Sequence, residues 1–274
     1  MTTDPDPQPF DLSVEVVPPA GPSAEATLLH LEEISGLAFD RFSVATNPLA
    51  RPRMSALALC SLIQGRTGKP ATLHVTTRDY NRLSTQSLLW GARALEIQSV
   101  LIATGDYVAM GERARTSTVR DLDVYDLVRM ARDTGLHTGV VLDPRPESAR
   151  LAHEVRRLEQ KVEAGAQYAI TQPVFDEAGA RELRDATAHL DIPVILGILP
   201  LRTLRHARFL DEKVAGIEVP FHVQDRLDRV ADPTAEGLAM GREMLSIARE
   251  WFGGACLMPP FGHYEVVPEI LGQG

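Results

Sequence analysis

The stretch "DLSVEVVPP", residues 11–19, sets the pattern on which the rest of the chain is built. Its β-branched residues predict a short strand, and Pro18 and Pro19 predict where that strand ends, because proline has no N–H to donate. Glu15 stands between valines just before this end. A buried, unpaired carboxylate is costly, and burial raises its pKa toward neutrality. We therefore interpret Glu15 as a general acid rather than as a packing residue.

Strand-like runs of the same kind recur along the chain and alternate with helix-period segments. They lie at 11–17, 40–46, 71–77, 99–105, 137–143, 168–174, 193–199 and 254–260. Strands that alternate with helices pair in parallel, and eight such units predict an α/β fold, a (β/α)8 TIM barrel. Between strands seven and eight the pattern predicts extra helices at 202–214, 221–231 and 234–252. An open doubly wound sheet is the alternative, but the sequence has no GxGxxG turn and no Walker loop.

Two further patterns concern the start of the chain. Residues 1–10 are acidic and proline-rich, so we expect a disordered lead followed by a single barrel domain over 11–274. Ser23 precedes a helix-period segment and is predicted to cap its N-terminus.

Composition excludes several classes of function. The 274 residues carry a net charge of -9, which disfavours nucleic-acid and anionic-membrane partners. No apolar run approaches the ~20 residues of a membrane span, and the N-terminus lacks signal-peptide features, so we expect a cytoplasmic protein. The two cysteines lie in apolar runs and predict neither a disulfide nor a metal site. Oligomeric state is not indicated.

Polar side chains fall at the ends of four predicted strands, where barrel enzymes place their active sites. They are Glu15, His74, Asp106 and Gln172. Each of the last three also has a purely structural interpretation: a satisfied core histidine, a turn cap and a partner for the backbone. After strand seven, the arginines of "LRTLRHARF" (201–209) fit a solvent-facing helix, although one can also face an anionic substrate tail.

A group of motifs resembles the methylenetetrahydrofolate reductase family over about residues 13 to 271. The motifs are "EVVPP" (15–19), "TLHVTTRD" (72–79), "ATGD" (103–106), "KVEAGAQYAITQPVFD" (161–176) and "GILPL" (197–201). "NPLARPRMSALAL" (47–59) and "LMPPFGHYEVVPEIL" (257–271) are most similar to the reductase half of bifunctional homocysteine methyltransferase–reductases. The 161–176 block is the most specific.

The resemblance implies reduction of 5,10-methylenetetrahydrofolate to 5-methyltetrahydrofolate by NADH or NADPH through a bound FAD. By position, Glu15 matches the acid that opens the imidazolidine ring, and Asp106 matches the carboxylate that binds the pterin and offsets its positive charge. Substrate contacts are implied at Asp106, Gln172, His206 and His263. Cofactor contacts are implied at Thr46, His74, Thr104, Gly105, Asp106, Lys161 and Gln172.

Several positions depart from the family's pattern. Thr46 and Val141 stand where tyrosines contact the flavin, Arg145 replaces a histidine, and Gln160 replaces an arginine. Near the folate, His206 replaces a glutamine and His263 replaces an arginine. Because most of these departures fall at positions that contact the flavin in the family, we weigh direct hydride transfer from nicotinamide against transfer through FAD. A methyl-transferring folate barrel and a non-catalytic folate-binding module are the alternative functions.

Overall fold

The computed structural model describes residues 9–108, 116–144, 148–214 and 216–273. Within these ranges eight strands form a closed parallel barrel in sequence order, with β1 paired to β8. The strands are β1 Asp11–Val16, β2 Arg41–Val44, β3 Ala71–Thr76, β4 Ser99–Ala103, β5 His137–Leu142, β6 Tyr168–Pro173, β7 Val194–Ile198 and β8 Gly254–Leu257. The predicted TIM barrel is confirmed, and each predicted strand contains the observed one.

Ten α-helices lie in the same described ranges. They are α1 Glu25–Ser35, α2 Ala56–Thr67, α3 Arg82–Ala94, α4 Val124–Asp133, α5 Ser148–Glu163, α6 Glu177–Thr187, α7 Leu204–Lys213, α8 Phe221–Arg229, α9 Pro233–Trp251 and α10 Val266–Leu271. The Ser23 cap is wrong: α1 begins after Ala24, with no side-chain cap. The expected disordered lead falls almost entirely outside the described residues. No described helix combines the length and apolar character that crossing a bilayer demands.

The helices predicted between β7 and β8 are confirmed as α7, α8 and α9. They enclose a small apolar core of their own, to which Phe175 contributes from the segment after β6. Leu210 of α7, Val223 of α8 and Met240 of α9 pack in the same cluster. This arrangement places the N-terminus of α7, with His206, beside the mouth of the barrel.

The barrel interior is filled near its N-terminal end by the ring of Tyr168. The Tyr168 hydroxyl donates to the carbonyl of Val100 (3.0 Å) and lies 2.9 Å from the Ser99 hydroxyl. Gly139 on β5 leaves the space for this ring, because a Cβ there would lie 2.1 Å from two ring carbons. The ring therefore fills the interior near the N-terminal ends of the strands.

The close approach of Gly139 to Tyr168 predicts a strong effect of a single methyl group. Gly139→Ala should lower the free energy of unfolding by about 3 kcal/mol, because the ring must leave its position. Gly65→Ala is the matched control, since a methyl group there meets no atom within 4 Å. It should raise stability by about 0.5–1 kcal/mol through helix propensity. Urea denaturation of both variants checks this, and equal stability of Gly139→Ala and wild type would contradict the packing.

Candidate active site

Glu15 points into the barrel at the end of β1. Val14 and Val16, its neighbours in the strand, belong to the core between the strands and the helices. Because strand side chains alternate between faces, Glu15 faces the opposite side. The side chain is half-buried and keeps some solvent contact. Burial, and then the negative charge of Asp106, raises the pKa of Glu15 to about 7. Glu15 and Asp106 are thus close enough to interact electrostatically.

Asp106 follows β4 on a turn made by Gly105. The φ of Gly105 is 83°, and a Cβ there would lie 3.1 Å from Cβ of Thr76 and 3.2 Å from Cβ of Arg78. Glycine is therefore needed for both the turn conformation and the close contact with β3. The exposed Asp106 carboxylate accepts a hydrogen bond from the Leu49 N–H (2.6 Å). This bond ties the loop after β4 to the loop after β2.

The loop after β2 has a strained backbone. Asn47, Leu49 and Ala50 have φ values of 42°, 55° and 52°, in a region that non-glycine residues seldom adopt. The loop is held by the bond to Asp106 and by Asn47 Oδ1, which accepts from the Arg53 N–H at 3.0 Å. Such strain persists only where the surroundings enforce it, and it is common at ligand sites.

Arg78 is the residue that joins these loops. Its side chain is only 5% exposed and lies beside Asp79, to which it donates two hydrogen bonds of 2.6 and 2.7 Å. It also donates to the carbonyl of Asp106 (3.1 Å) and to that of Asn47 (3.2 Å). Sequence reasoning missed Arg78, although its place in "TTRD" directly after a strand was a usable signal.

His74 and Thr46, both predicted cofactor contacts, form hydrogen bonds inside the barrel wall. Nε2 of His74 lies 2.7 Å from the hydroxyl of Ser43, and Ser43 is the register partner of Glu15 on β2. Burial lowers the pKa of His74 to about 4, so the ring is neutral at pH 7. The Thr46 hydroxyl donates to the carbonyl of His74 (2.5 Å). Ser43, which sequence reasoning missed, therefore connects His74 with the strand beside Glu15.

Gln172 faces the same interior from β6. Ile170, two residues earlier, belongs to the cluster that fills the barrel, so alternation places Gln172 on the inner side near the mouth. The pairing of β6 with β7 shifts register between Ile170 and Pro173, an irregularity that re-aims side chains. The structure thus brings Gln172 to the end of the barrel where Glu15 and Asp106 lie.

Lys161 does not present its ammonium group as a diphosphate site requires. The side chain is 6% exposed, and Nζ donates to the carbonyl of Val141 at 2.7 Å. Burial, and then the charge of Arg157, lowers the pKa of Lys161 to about 8. To bind an anion at the mouth, Lys161 would first have to leave this hydrogen bond. The residue thus acts in the structure as a tie between α5 and β5.

The other predicted flavin positions offer little to hold a flavin. Val141 packs in the barrel interior, and Gln160 accepts a hydrogen bond from the Tyr125 hydroxyl (2.7 Å). The backbone carbonyl of Thr104 lies 3.4 Å from the Thr77 hydroxyl. Arg145 lies outside the described residues. With His74, Thr46 and Lys161 already bonded within the protein, the side chains described here do not fit FAD.

His206 and His263 lie close together at the ends of β7 and β8, and both contact Arg202. Nδ1 of the buried His206 accepts the backbone N–H of Arg202 at 3.3 Å. Burial, and then the charge of Arg202, lowers the pKa of His206 to about 4. Nε2 of His263 bonds to the Arg202 guanidinium, and Nδ1 lies 2.6 Å from a carboxylate oxygen of Glu265.

Tyr264 and Cys256 form part of the wall around Glu15. Burial, and then the charge of Glu15, raises the pKa of both groups. The Tyr264 hydroxyl lies near the backbone of Val17, immediately after β1. Neither residue was singled out as functional from the sequence, because each lies in an apolar run that fits core packing equally well.

The arrangement is an enclosed protonatable acid, a second acid held by the backbone, and a cation across the mouth. The family model for methylenetetrahydrofolate reductase matches residues 2–251. The chain belongs to the methylenetetrahydrofolate reductase family. The family resemblance drawn from the sequence motifs is therefore confirmed.

Individual relatives within the family are distant. The 5,10-methylenetetrahydrofolate reductase of Escherichia coli is 24% identical over 227 residues, which is 81% of this chain and 75% of that protein. The Salmonella typhimurium enzyme is 25% identical over 77% of this chain and 71% of its own length. A probable methylenetetrahydrofolate reductase (NADPH) of Caenorhabditis elegans is 28% identical over 60% of this chain. The match spans only a quarter of the length of that relative.

Solved structures share the fold. A Clostridium thermocellum protein described as binding two copies of 5-methyl-5,6,7,8-tetrahydrofolic acid superposes with a TM-score of 0.72 at 15% identity. That match covers 98% of this chain and 94% of the other. A tryptophan synthase alpha-subunit from Pyrococcus furiosus gives a TM-score of 0.55 at 13% identity, over 96% and 98% of the two chains.

The raised pKa of Glu15 predicts a pH-dependent cost in stability. The pKa rises from 4.5 to about 7 on folding, so the stability that the protonated acid contributes is lost as pH rises through this range. Glu15→Gln should therefore be more stable than wild type at pH 8, by up to about 3 kcal/mol, and similar to it near pH 4.5.

Denaturation at the two pH values checks this difference. Glu33→Gln, at an exposed position of α1, is the control and should change stability little at either pH. An equal effect of Glu15→Gln at both pH values would show that its carboxyl group titrates normally.

Proposed function

We propose that this protein reduces 5,10-methylenetetrahydrofolate to 5-methyltetrahydrofolate with a hydride taken directly from NADH or NADPH. The observation that carries the proposal is Glu15, an enclosed carboxyl group with a pKa of about 7 that faces Asp106 at the barrel mouth. A folate-binding module has no use for a proton donor held at this cost. Membership of the reductase family and the folate ligand of the Clostridium thermocellum neighbour support a reduced folate as substrate.

Glu15 would act first, by opening the five-membered ring of the substrate. It donates its proton to N10 as the bond between N10 and the bridging carbon breaks, which leaves an N5 iminium cation. A carboxyl group with a pKa near 7 is mostly protonated at pH 6 and about half protonated at pH 7, whereas an exposed glutamate is ionised at both. The hydride then adds to the bridging carbon and completes the methyl group, with the positive charge discharged in the same step.

Asp106 would stabilise the cation formed between these two steps. Its carboxylate is oriented before the substrate arrives by the Leu49 N–H, and its backbone is held by Arg78. A preorganised anion of this kind needs little reorganisation when positive charge develops nearby. Gln172 lies at the same mouth and would contact the pterin and then the nicotinamide. His206 and His263 would lie along the remainder of the substrate.

The hydride donor is the point at which we expect this chain to differ from the family's pattern. A flavin supplies hydride at its N5 when it is bound, but at the described matching positions Val141 is apolar, and the side chains of Thr46, His74, Gln160 and Lys161 are bonded within the protein. In particular, Lys161 is buried on the carbonyl of Val141, and Val141 offers no ring for stacking. We therefore assign the hydride to the nicotinamide itself, bound against the same open face of the barrel.

The role of Glu15 predicts a selective loss of turnover. Glu15→Gln should lower the rate of NAD(P)H oxidation with methylenetetrahydrofolate about 100-fold or more, because glutamine donates no acidic proton. Calorimetry should show little change in affinity for 5-methyltetrahydrofolate. In the wild type, kcat should fall as pH rises through about 7, where the acid ionises.

The same assays separate the proposal from its alternatives, with Glu33→Gln as a control of normal activity. A methyl-transferring barrel would oxidise no NAD(P)H when methylenetetrahydrofolate is supplied. A folate-binding module would bind the folate and remain unaffected by Glu15→Gln.

Direct transfer predicts the fate of an isotopic label. With stereospecifically deuterated NADH, the label should be retained in the methyl group of the product in unlabelled water. A hydride that passes through a reduced flavin exchanges with solvent, so the label would be diluted. The purified protein should also lack the visible flavin bands and gain no activity from added FAD. A yellow protein that loses activity when FAD is removed would refute direct transfer.

A further inference from the structure

Arg202 is held at the barrel mouth by two loops that come together from neighbouring strands. It lies four residues after β7, and its guanidinium bonds to Nε2 of His263, which follows β8. Its carbonyl accepts the hydroxyl of Thr234 at 3.2 Å, and its N–H donates to His206. An arginine fixed at both its backbone and its head loses little freedom when it binds a ligand.

The protonation of His263 follows from its two partners. A guanidinium has only N–H donors, so Nε2 of His263 must be the acceptor of the Arg202 bond. The ring proton then lies on Nδ1, 2.6 Å from Glu265, which accepts it. The relay from Glu265 through His263 orients the guanidinium and uses one of its five N–H groups, leaving others for a ligand.

An aromatic surface lies beside this cation. Phe261 is 72% exposed and has a φ of 54°, a conformation in which a bulky residue is strained. Its ring centroid is 5.1 Å from that of the buried His206. The turn thus presents a phenyl ring to solvent beside His206, whose Nδ1 accepts the backbone N–H of Arg202. An aromatic acid is the ligand that this pairing would recognise.

Negative and positive charges lie at different sides of the barrel mouth. Asp106 follows β4, whereas Arg202 follows β7 and His263 follows β8. In a closed eight-stranded barrel, β4 lies on the side opposite β7 and β8. Glu15 on β1 stands next to β8. A ligand that becomes cationic at one end and is anionic at the other is complementary to this arrangement.

We propose that Arg202 is a specificity-determining residue that binds a carboxylate of the substrate's glutamate tail, while Phe261 contacts its aminobenzoyl ring. This inference rests on the proposed function and extends it to the end of the substrate remote from the chemistry. A bound glutamate tail fixes which end of the folate reaches Glu15 and Asp106. The arginine that the family's pattern has at position 263 is then replaced in function by Arg202, which His263 holds in place.

The test compares 5-methyltetrahydrofolate with 5-methyltetrahydropteroyl methylamide, in which a neutral N-methylamide replaces the glutamate and no carboxylate remains. Calorimetry should show that the wild type binds the folate about 30-fold more tightly than the methylamide, as one charge-assisted contact implies. Arg202→Ala should lose this preference by weakening only the folate. Arg202→Lys should retain part of it, since the charge remains but the planar fork does not. Arg205→Ala is the control: it removes an equal charge from an exposed position of α7.

The outcomes distinguish this inference from the function on which it rests. Equal binding of the two ligands by the wild type, or equal weakening of both by Arg202→Ala, overturns the role of Arg202 alone. A raised KM for NAD(P)H in Arg202→Ala, with unchanged folate affinity, would instead assign the guanidinium to a cofactor phosphate and also overturns it. Binding of neither ligand, with no NAD(P)H oxidation, refutes the proposed function itself.

Discussion

The interaction on which the site depends is the repulsion between Glu15 and Asp106 in a partly dehydrated mouth. Burial is the larger cause of the raised pKa of Glu15, and the Asp106 charge adds to it. Both causes favour the protonated form of Glu15. The contribution of Asp106 is lost if this carboxylate moves away, and residues 104–108, the described part of the loop directly after β4, form neither a helix nor a strand that would hold it. Arg78 and the Leu49 N–H supply that restraint, so a buried arginine indirectly maintains the environment of the acid.

Closure of the barrel explains why distant parts of the chain share one site. Glu15 near the start of the chain and Tyr264 near its end interact because β1 pairs with β8. The floor beneath them is filled by Tyr168, which fits only because Gly139 has no side chain. Glu15 and Gln172 lie near the carboxyl ends of β1 and β6, and Asp106 lies in the loop after β4. Because parallel strands share one direction, these groups meet at the same end of the barrel.

Sequence reasoning recovered the features that depend on local pattern. Strand and helix positions follow from periodicity, and Glu15 was identified because a carboxylate among valines conflicts with its surroundings. Contacts between loops were not recovered: Arg78 meets residues about 30 positions away in the chain, and Arg202 meets His263 across 61 positions. The direction of a long side chain also cannot be predicted from the sequence: Lys161 was expected to contact a cofactor but bonds to the carbonyl of Val141 on β5. The Ser23 cap failed because α1 begins one residue later than that assignment requires.

The chain keeps the acids expected for catalysis and departs from the family's pattern at positions that bind ligands, and this difference has a physical reason. Proton donation and charge compensation act at single atoms, so the acids that perform them tolerate little displacement. Binding a long ligand is a sum of separable contacts, and a contact can be supplied from another loop if it reaches the same place. His263 with Arg202 is such a case, because the imidazole bonds to and orients a guanidinium from the loop after the neighbouring strand β7. At the flavin positions no substitute of this kind lies among the described residues: Val141 faces inward and Lys161 is bonded to its carbonyl. Under the proposed function, replacement at the folate contacts without replacement at the flavin contacts is the combination that direct hydride transfer requires.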